Sequence, residues 1–228
     1  MTNEFEVIIP ACGKGKRFGA SIPKQFAEVE GAPVLIHTLR CFTGMKGLFG
    51  IIIVCDPGFK NYIKSLLSKY SITGVNKIVV GGEKRQDSVR NALKFLQLKK
   101  TVVIHDAVRP CVKRDVIVKG IDYAVKYGAS CASRPATQTL GIVRDGFIVE
   151  KLDRKTCWIL QTPQSFQYEI LVDSYRKAHK ESFIATDDTQ VVMTFSNKKV
   201  RMYWSNEENV KITYKRDLEI VASFLKKT

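Results

Sequence analysis

Short β-branched runs alternate with segments of helical spacing along most of this 228-residue chain, and that alternation limits the possible folds more than any other feature. Strands that join one sheet in parallel need a crossover of a dozen or more residues, which a helix usually supplies. Strands are predicted at Val7–Pro10, Ile51–Cys55, Lys77–Val80, Thr101–His105 and Ala129–Ser133, with a later one at Val200–Trp204. Phe59, Tyr62, Ile63, Leu66, Leu67 and Tyr70 fall on an i, i+3, i+4, i+7 grid, as do Val89, Ala92, Leu93 and Leu96. Each set therefore forms one apolar helix face that should pack on the sheet. Further helices are expected over Val34–Phe42, Asp115–Tyr127, Tyr168–His179 and Asp217–Leu225. The pattern predicts an α/β fold with a Rossmann-like, doubly wound, mostly parallel sheet. No repeat, low-complexity tract or Pro/Gly/Ser linker divides the chain, so residues 1–228 are expected to form one domain.

One segment departs from this rhythm. Leu140–Val143 and Phe147–Leu152 flank Arg144-Asp145-Gly146, and Asp-Gly between apolar runs is a hairpin signal. No helix follows to cover such a hairpin. An arm over about residues 136–154 is expected to project and to bury its apolar side against a second copy of the chain, making a homodimer. An edge hairpin folded onto its own domain is the alternative.

Composition narrows the function. With 45% hydrophobic and 26% charged residues the chain has enough apolar surface to fold. Its longest apolar run, Leu48 to Cys55, is far short of the roughly 18 residues a membrane-spanning helix needs. Glu4 and Glu6 stand where a secretory signal would be cationic, and the first apolar run stops at Pro10, so a cytoplasmic protein with no membrane partner is expected. The six cysteines show no C-x-x-C pair and read as reduced packing residues. The 37 Lys and Arg exceed the 22 Asp and Glu by 15, and a field of that sign attracts phosphorylated small molecules or polyanions. An RNA-binding sheet would interleave aromatic and basic residues on one face, and Lys16-Arg17-Phe18-Gly19 is only a fragment of that pattern. No nucleic-acid partner is therefore expected.

The first strand runs into Pro10-Ala11-Cys12-Gly13-Lys14-Gly15-Lys16-Arg17-Phe18-Gly19, followed by Pro23-Lys24-Gln25. Glycines let backbone N–H groups approach an anion closely, and the cations between and behind them add charge, so this reads as a phosphate loop. It is not a P-loop, lacking Gly-Lys-Ser/Thr, and Phe18 replaces the third glycine of a dinucleotide fingerprint. The His, Cys and Ser residues form no metal-ligand spacing and no nucleophilic triad.

Gly13-x-Gly15-x-Arg17-x-Gly19 with Pro23-Lys24 resembles the signature loop of sugar and polyol nucleotidyltransferases. Further blocks follow in order: Gly81-Gly82-Glu83-Lys84-Arg85-Gln86-Asp87-Ser88, His105-Asp106-Ala107-Val108-Arg109-Pro110, Asp153-Arg154 with Trp158, Gln161-Thr162-Pro163-Gln164, Thr186-Asp187-Asp188 and Asn209-Val210-Lys211-Ile212-Thr213. Together they resemble the 2-C-methyl-D-erythritol 4-phosphate cytidylyltransferases from about Val7 to Leu225. Ribitol 5-phosphate cytidylyltransferases share several of the blocks and remain the alternative. Where the family commonly shows Asp-Thr, an apolar residue and Lys, this chain has Gln138-Thr139-Leu140-Gly141.

The resemblance implies transfer of CMP from CTP to a polyol phosphate with release of pyrophosphate and Mg²⁺ as cofactor. It assigns Ala11, Cys12, Gly13, Gly15, Gly82, Glu83 and Ser88 to CTP binding. Arg17, Lys24, Asp106 and Lys211 become the catalytic group, with Asp106 also the candidate metal ligand. Arg109, Thr162 and Lys211 would face the acceptor, and Thr139 and Arg154 would reach it from a neighbouring subunit's arm. Each residue also has a plain structural reading: Asp106 could cap a turn, Arg109 could pair with a carboxylate and Thr162-Pro163 could be a turn. His105 at a strand end reads as a hydrogen-bonded structural residue, and Asp187-Asp188 as a helix N-terminal cap.

Overall fold

The computed structural model describes residues 3–13, 17–19 and 22–227. In chain order its elements are β1 (Phe5–Pro10), β2 (Glu28–Val29), β3 (Ala32–Pro33), α1 (Val34–Phe42), β4 (Leu48–Cys55), α2 (Lys60–Lys69), β5 (Val75–Val80), α3 (Arg85–Leu93) and β6 (Thr101–Ile104). There follow α4 (Arg114–Tyr127), β7 (Ala129–Pro135), β8 (Leu140–Arg144), β9 (Phe147–Leu152), β10 (Trp158–Gln167), α5 (Tyr168–Lys180), α6 (Asp188–Phe195), β11 (Arg201–Trp204) and α7 (Asp217–Leu225).

A seven-stranded sheet forms in the order β11-β7-β10-β6-β1-β4-β5. Its strands are parallel except β10, which runs antiparallel to both β6 and β7. The chain lays β4 and β5 to one side of β1 and then returns to place β6 on the other, so the winding reverses at β1. Such a switch point leaves a crevice beyond the C-terminal strand ends.

The central strands are buried on both faces, which is why Val7, Ile8, Ile9 and Ile51, Ile52, Ile53, Val54 read as continuous apolar runs. One layer packs Leu35, Leu39 and Phe42 of α1, Ile63 and Leu66 of α2, and Ile117 and Ile121 of α4 on the sheet. The other packs Val89 and Ala92 of α3, Leu171, Tyr175 and Ala178 of α5, and Val191 and Val192 of α6. A smaller cluster joins Phe18 of the glycine-rich loop to Val34, Val108, Ile212 and Val221. The residue that breaks the dinucleotide fingerprint thus anchors the loop's far end.

The doubly wound expectation holds, with three local corrections. The sequence reading missed β10, the two-residue pair β2–β3, and α6. The 162–163 pair is no turn: it lies within β10, where the pairing with β7 shifts register between Leu160 and Gln164.

The hairpin forms as its turn residues predict. Asp145 and Gly146 both adopt positive φ, 50° and 84°, between the paired Arg144 and Phe147. This is the two-residue geometry that matches strand twist. β8 and β9 make a sheet of their own, and Phe147 and Ile148 are 75% and 68% exposed.

Candidate active site

The crevice at the switch point is a cleft of about 660 Å³, built from the segments that follow four parallel strands. Ala11, Cys12 and Gly13 enter after β1, Asp56 and Pro57 after β4, Gly81 and Gly82 after β5, and Asp106, Ala107 and Val108 after β6. Lys24, Gln25 and Lys211 close it from the side.

Backbone hydrogen bonds extend the sheet into these segments. Ala11 N donates to Val54 O at 2.7 Å and Gly81 N to Cys55 O at 2.9 Å. The Gln25 carboxamide donates to Ala11 O at 2.7 Å, which ties the Pro23-Lys24-Gln25 turn to the loop after β1. Glycine is required after β5 by close approach: a Cβ on Gly81 would stand 2.2 Å from Cys12 Sγ and 2.8 Å from Ser88 Oγ, and one on Gly82 would stand 2.4 Å from Asp87 Cβ. Ser88 Oγ accepts from Gly82 N at 3.2 Å and donates to Lys84 O at 3.1 Å. The first turn of α3 thereby fixes one wall of the cleft.

Asp106 is the electrostatic centre. Lys211 Nζ lies 2.9 Å and Arg109 Nε 3.3 Å from its Oδ2, and Arg85 Nε lies 3.5 Å from its Oδ1. Its backbone N–H donates to Thr162 Oγ1 at 3.0 Å. Burial alone would push the Asp106 carboxyl up, but Lys211, Arg85 and Arg109 outweigh it and hold the group well below the ordinary carboxylate range. It is an anion at any physiological pH.

Lys24 lies near Lys211 and donates to Ile212 O at 2.8 Å. Burial pulls its pKa down to about 8; Lys211 and Arg17 push the same way, against Asp106. A cluster of cations with one carboxylate among them has a surplus of positive charge, which suits a polyphosphate.

His105 is buried, with Nε2 3.1 Å from the Arg109 carbonyl. Burial pulls its pKa down to about 4, so it is neutral, and the structural reading holds.

The predicted residues divide into two groups. Ala11, Cys12, Gly13, Gly82, Glu83, Ser88, Lys24, Asp106 and Lys211 all line the cleft. Arg17 is exposed beside it, and Gly15 lies outside the described residues. Of the expected acceptor residues, Lys211 is on the cleft wall, and Arg109, Thr162, Thr139 and Arg154 are not. Arg109 is buried beneath it, with its guanidinium directed to Asp106 and, at 2.8 Å, to Asn209 O. Thr162 is buried behind Asp106. Thr139 and Arg154 are exposed at the two feet of the arm, where Arg154 donates to Thr137 O at 3.2 Å.

Arg85 and Asp188 were missed as site residues. Arg85 bridges Asp106 to Asp188, its Nη1 lying 2.8 Å from Asp188 Oδ2, while the Tyr175 hydroxyl donates to Asp188 Oδ1. The cap reading holds for Asp187 alone, which accepts from Gln190 N at 2.9 Å; its neighbour is a buried counter-ion. Asp56 was also missed, although its place directly after β4 was the available signal.

Among the described residues no group of three or more His, Cys, Asp or Glu side chains is arranged to hold a metal, and no helix is long and apolar enough to cross a membrane.

Comparison with known proteins agrees with this geometry. The family model for 2-C-methyl-D-erythritol 4-phosphate cytidylyltransferase matches residues 5–227. The chain is 40% identical over 223 residues to the enzyme of that name from Clostridium botulinum (strain Loch Maree / Type A3), covering 97% of each. It is 36% identical over 221 residues to that from Bacillus mycoides, again covering 97% of each. The 4-diphosphocytidyl-2C-methyl-D-erythritol synthase structure from Anaerococcus prevotii superposes with a TM-score of 0.85 at 28% identity, covering 99% of this chain and 97% of the other. With ordered motifs, strand-end cleft and relatives in agreement, the chain belongs to the 2-C-methyl-D-erythritol 4-phosphate cytidylyltransferase family.

Proposed function

We propose that the cleft binds CTP and that the acceptor's phosphate attacks its α-phosphorus, transferring CMP to 2-C-methyl-D-erythritol 4-phosphate and releasing pyrophosphate. The observation that carries this reading is the set of cations, Lys24, Lys211 and Arg85, gathered around one low-pKa carboxylate in a cleft at the parallel strand ends. The acceptor phosphate has a second pKa of about 6 and is already a nucleophile at pH 7, so no general base is needed. The work left to the protein is to hold two anions together and to stabilise charge that grows on the triphosphate.

In this reading backbone N–H groups of the Ala11–Gly13 segment, Arg17 and Lys24 hold the phosphates. Gly82, Glu83 and Ser88 face the nucleoside, while Lys211 and Asp106 lie where the two substrates meet. Arg109 and Thr162 position Asp106 from beneath.

Asp106 offers one carboxylate, and magnesium commonly takes one or two carboxylates with waters and substrate phosphates. That donor set fits Mg²⁺ held by Asp106, directly or through water, together with the triphosphate. When bound, the ion neutralises phosphate charge.

The chain is read as one nucleotidyltransferase domain, acting in the cytoplasm as a homodimer. The bare apolar arm supports that reading, since a two-stranded hairpin is marginal alone and a two-fold pairing would cover it. Thr139 and Arg154 would then reach the partner's acceptor site.

The test is pyrophosphate release with CTP and Mg²⁺ against methylerythritol phosphate, ribitol 5-phosphate and glycerol phosphate. Turnover chiefly with the first is expected. A preference for ribitol 5-phosphate would reassign the acceptor, and release with none would end the reading. CTP should exceed UTP by at least about tenfold in kcat/KM, because a carbonyl that accepts from the cytosine amine faces another carbonyl in uracil.

A further inference from the structure

Arg134 is a cation with no anionic partner among the described residues. It is the penultimate residue of β7, and its guanidinium makes no hydrogen bond or ion pair among the described residues, leaving Nε buried and unpartnered. A buried donor in that state calls for an explanation, and a role in binding an anionic ligand is one.

The topology places it at the reaction edge of the sheet. β7 runs parallel to β6 with β10 between them, so both end on the same side. Two strand spacings put β6 and β7 roughly 10 Å apart. Ile104 pairs with Gln164, and Gln164 with Cys131. Asp106 stands two residues beyond that level and Arg134 three, so each clears the sheet by a similar height.

Its direction follows from the alternation of side chains along a strand. Arg134 shares a face with Ser130, whose Oγ donates to Gly120 O in α4, and with Ala132 of the core beneath α4. The connection from β6 to α4 leaves the sheet on that face and carries Arg109. Burial lowers the Arg109 pKa, Asp106 opposes this, and the Arg134 charge lowers it further, so the two guanidiniums are close enough to repel. Arg109 Nε donates to Asp106 and its Nη1 to Asn209 O, while Asn209 Oδ1 is buried without a partner among the described residues. On its other side Arg134 borders the arm: Pro135 pairs with Trp158, and Thr137 O accepts from Arg154.

We propose that Arg134 binds the phosphate of the acceptor beside the Asp106 cluster of its own chain, and so helps select a phosphomonoester dianion as the second substrate. This deepens the cytidylyltransferase reading and rests on it. A half-buried guanidinium beside another is unfavourable in the free protein and is relieved by a bound dianion, so its effect belongs to acceptor binding.

The test compares wild type with Arg134→Met and Arg134→Lys. Acceptor KM, CTP KM and the melting temperature are measured, the last with and without inorganic phosphate. Arg134→Met should raise the acceptor KM by about tenfold or more, the size of a lost charge-assisted hydrogen bond. It should leave the CTP KM within about twofold and the melting temperature no lower, while Arg134→Lys recovers part of the acceptor affinity. Inorganic phosphate should raise the melting temperature of wild type more than that of Arg134→Met. An unchanged acceptor KM, a joint rise of both KM values with a lower melting temperature, or an equal phosphate shift in the two proteins would each overturn the proposal. A wild type that turns over normally beside an unaffected Arg134→Met would sink only this assignment. A wild type inactive with every polyol phosphate would sink the cytidylyltransferase reading, and the phosphate shift would still decide whether Arg134 binds the anion.

Discussion

Lys24 has a measurable pH signature. Its folded pKa of about 8 is below the ordinary lysine value, because burial and the neighbouring cations disfavour its charge. A triphosphate needs that charge, so CTP affinity should be full below about pH 8 and decline as pH rises through it. Calorimetry from pH 7 to 9.5 should show this decline with proton uptake on binding, and Lys24→Arg should flatten it; a flat wild-type profile would refute the assignment. The sign for stability is opposite. A basic group whose pKa falls on folding destabilises the free protein while both states are protonated, so this contribution eases as pH climbs above about 8.

Asp106 gives a second test at the same scale. Replacement by Asn leaves Lys211, Arg85 and Arg109 without their shared anion, and breaking a buried pair in this way costs about 3–5 kcal/mol. Denaturant unfolding should show a loss of that order along with loss of turnover. A variant as stable as wild type would mean that the cluster is not coupled as described. The loop glycines, Lys24 and Asp106 were legible in the sequence because each belongs to a local motif with a chemical reason. The bridge from Arg85 to Asp188 was not, since nothing near either residue marks a partner on another helix.

At the level of elements, the sequence was readable wherever an apolar pattern ran long enough to show its period. β2 and β3 have two residues each and carry no period. β10 was hidden by Pro163, since proline removes a ladder hydrogen bond and argues against a central strand; the shift of register at that point is how the sheet accommodates it. In α6 the capping Asp187 was visible, but eight residues were too few to reveal a helix face. The arm was predicted from Asp-Gly between two short apolar runs and forms as expected, because the turn geometry is local. Its bare apolar surface yields a prediction: Phe147→Asp with Val149→Asp should shift the protein from dimer to monomer in sedimentation and lower turnover, while the main domain's melting transition is preserved. A dimer that survives both charges would place the interface elsewhere.

At the level of the whole molecule, the central claim is that one catalytic centre combines the cleft of one chain with the arm of its partner. Lys24→Ala should abolish triphosphate stabilisation, and Arg154→Ala should remove an acceptor cation supplied across the two-fold axis, so each variant alone should be nearly inactive. In a mixed dimer one centre carries both lesions and the other carries neither. Equal co-expression makes about half the dimers mixed, and counting intact centres gives about one quarter of wild-type activity. The decisive measurement is the turnover of co-expressed, differently tagged Lys24→Ala and Arg154→Ala chains, with mixed dimers isolated through both tags. Purified mixed dimers should recover about half of wild-type activity by the same count, whereas mixed dimers as inactive as either parent would show that Arg154 serves its own chain and that the shared centre does not exist.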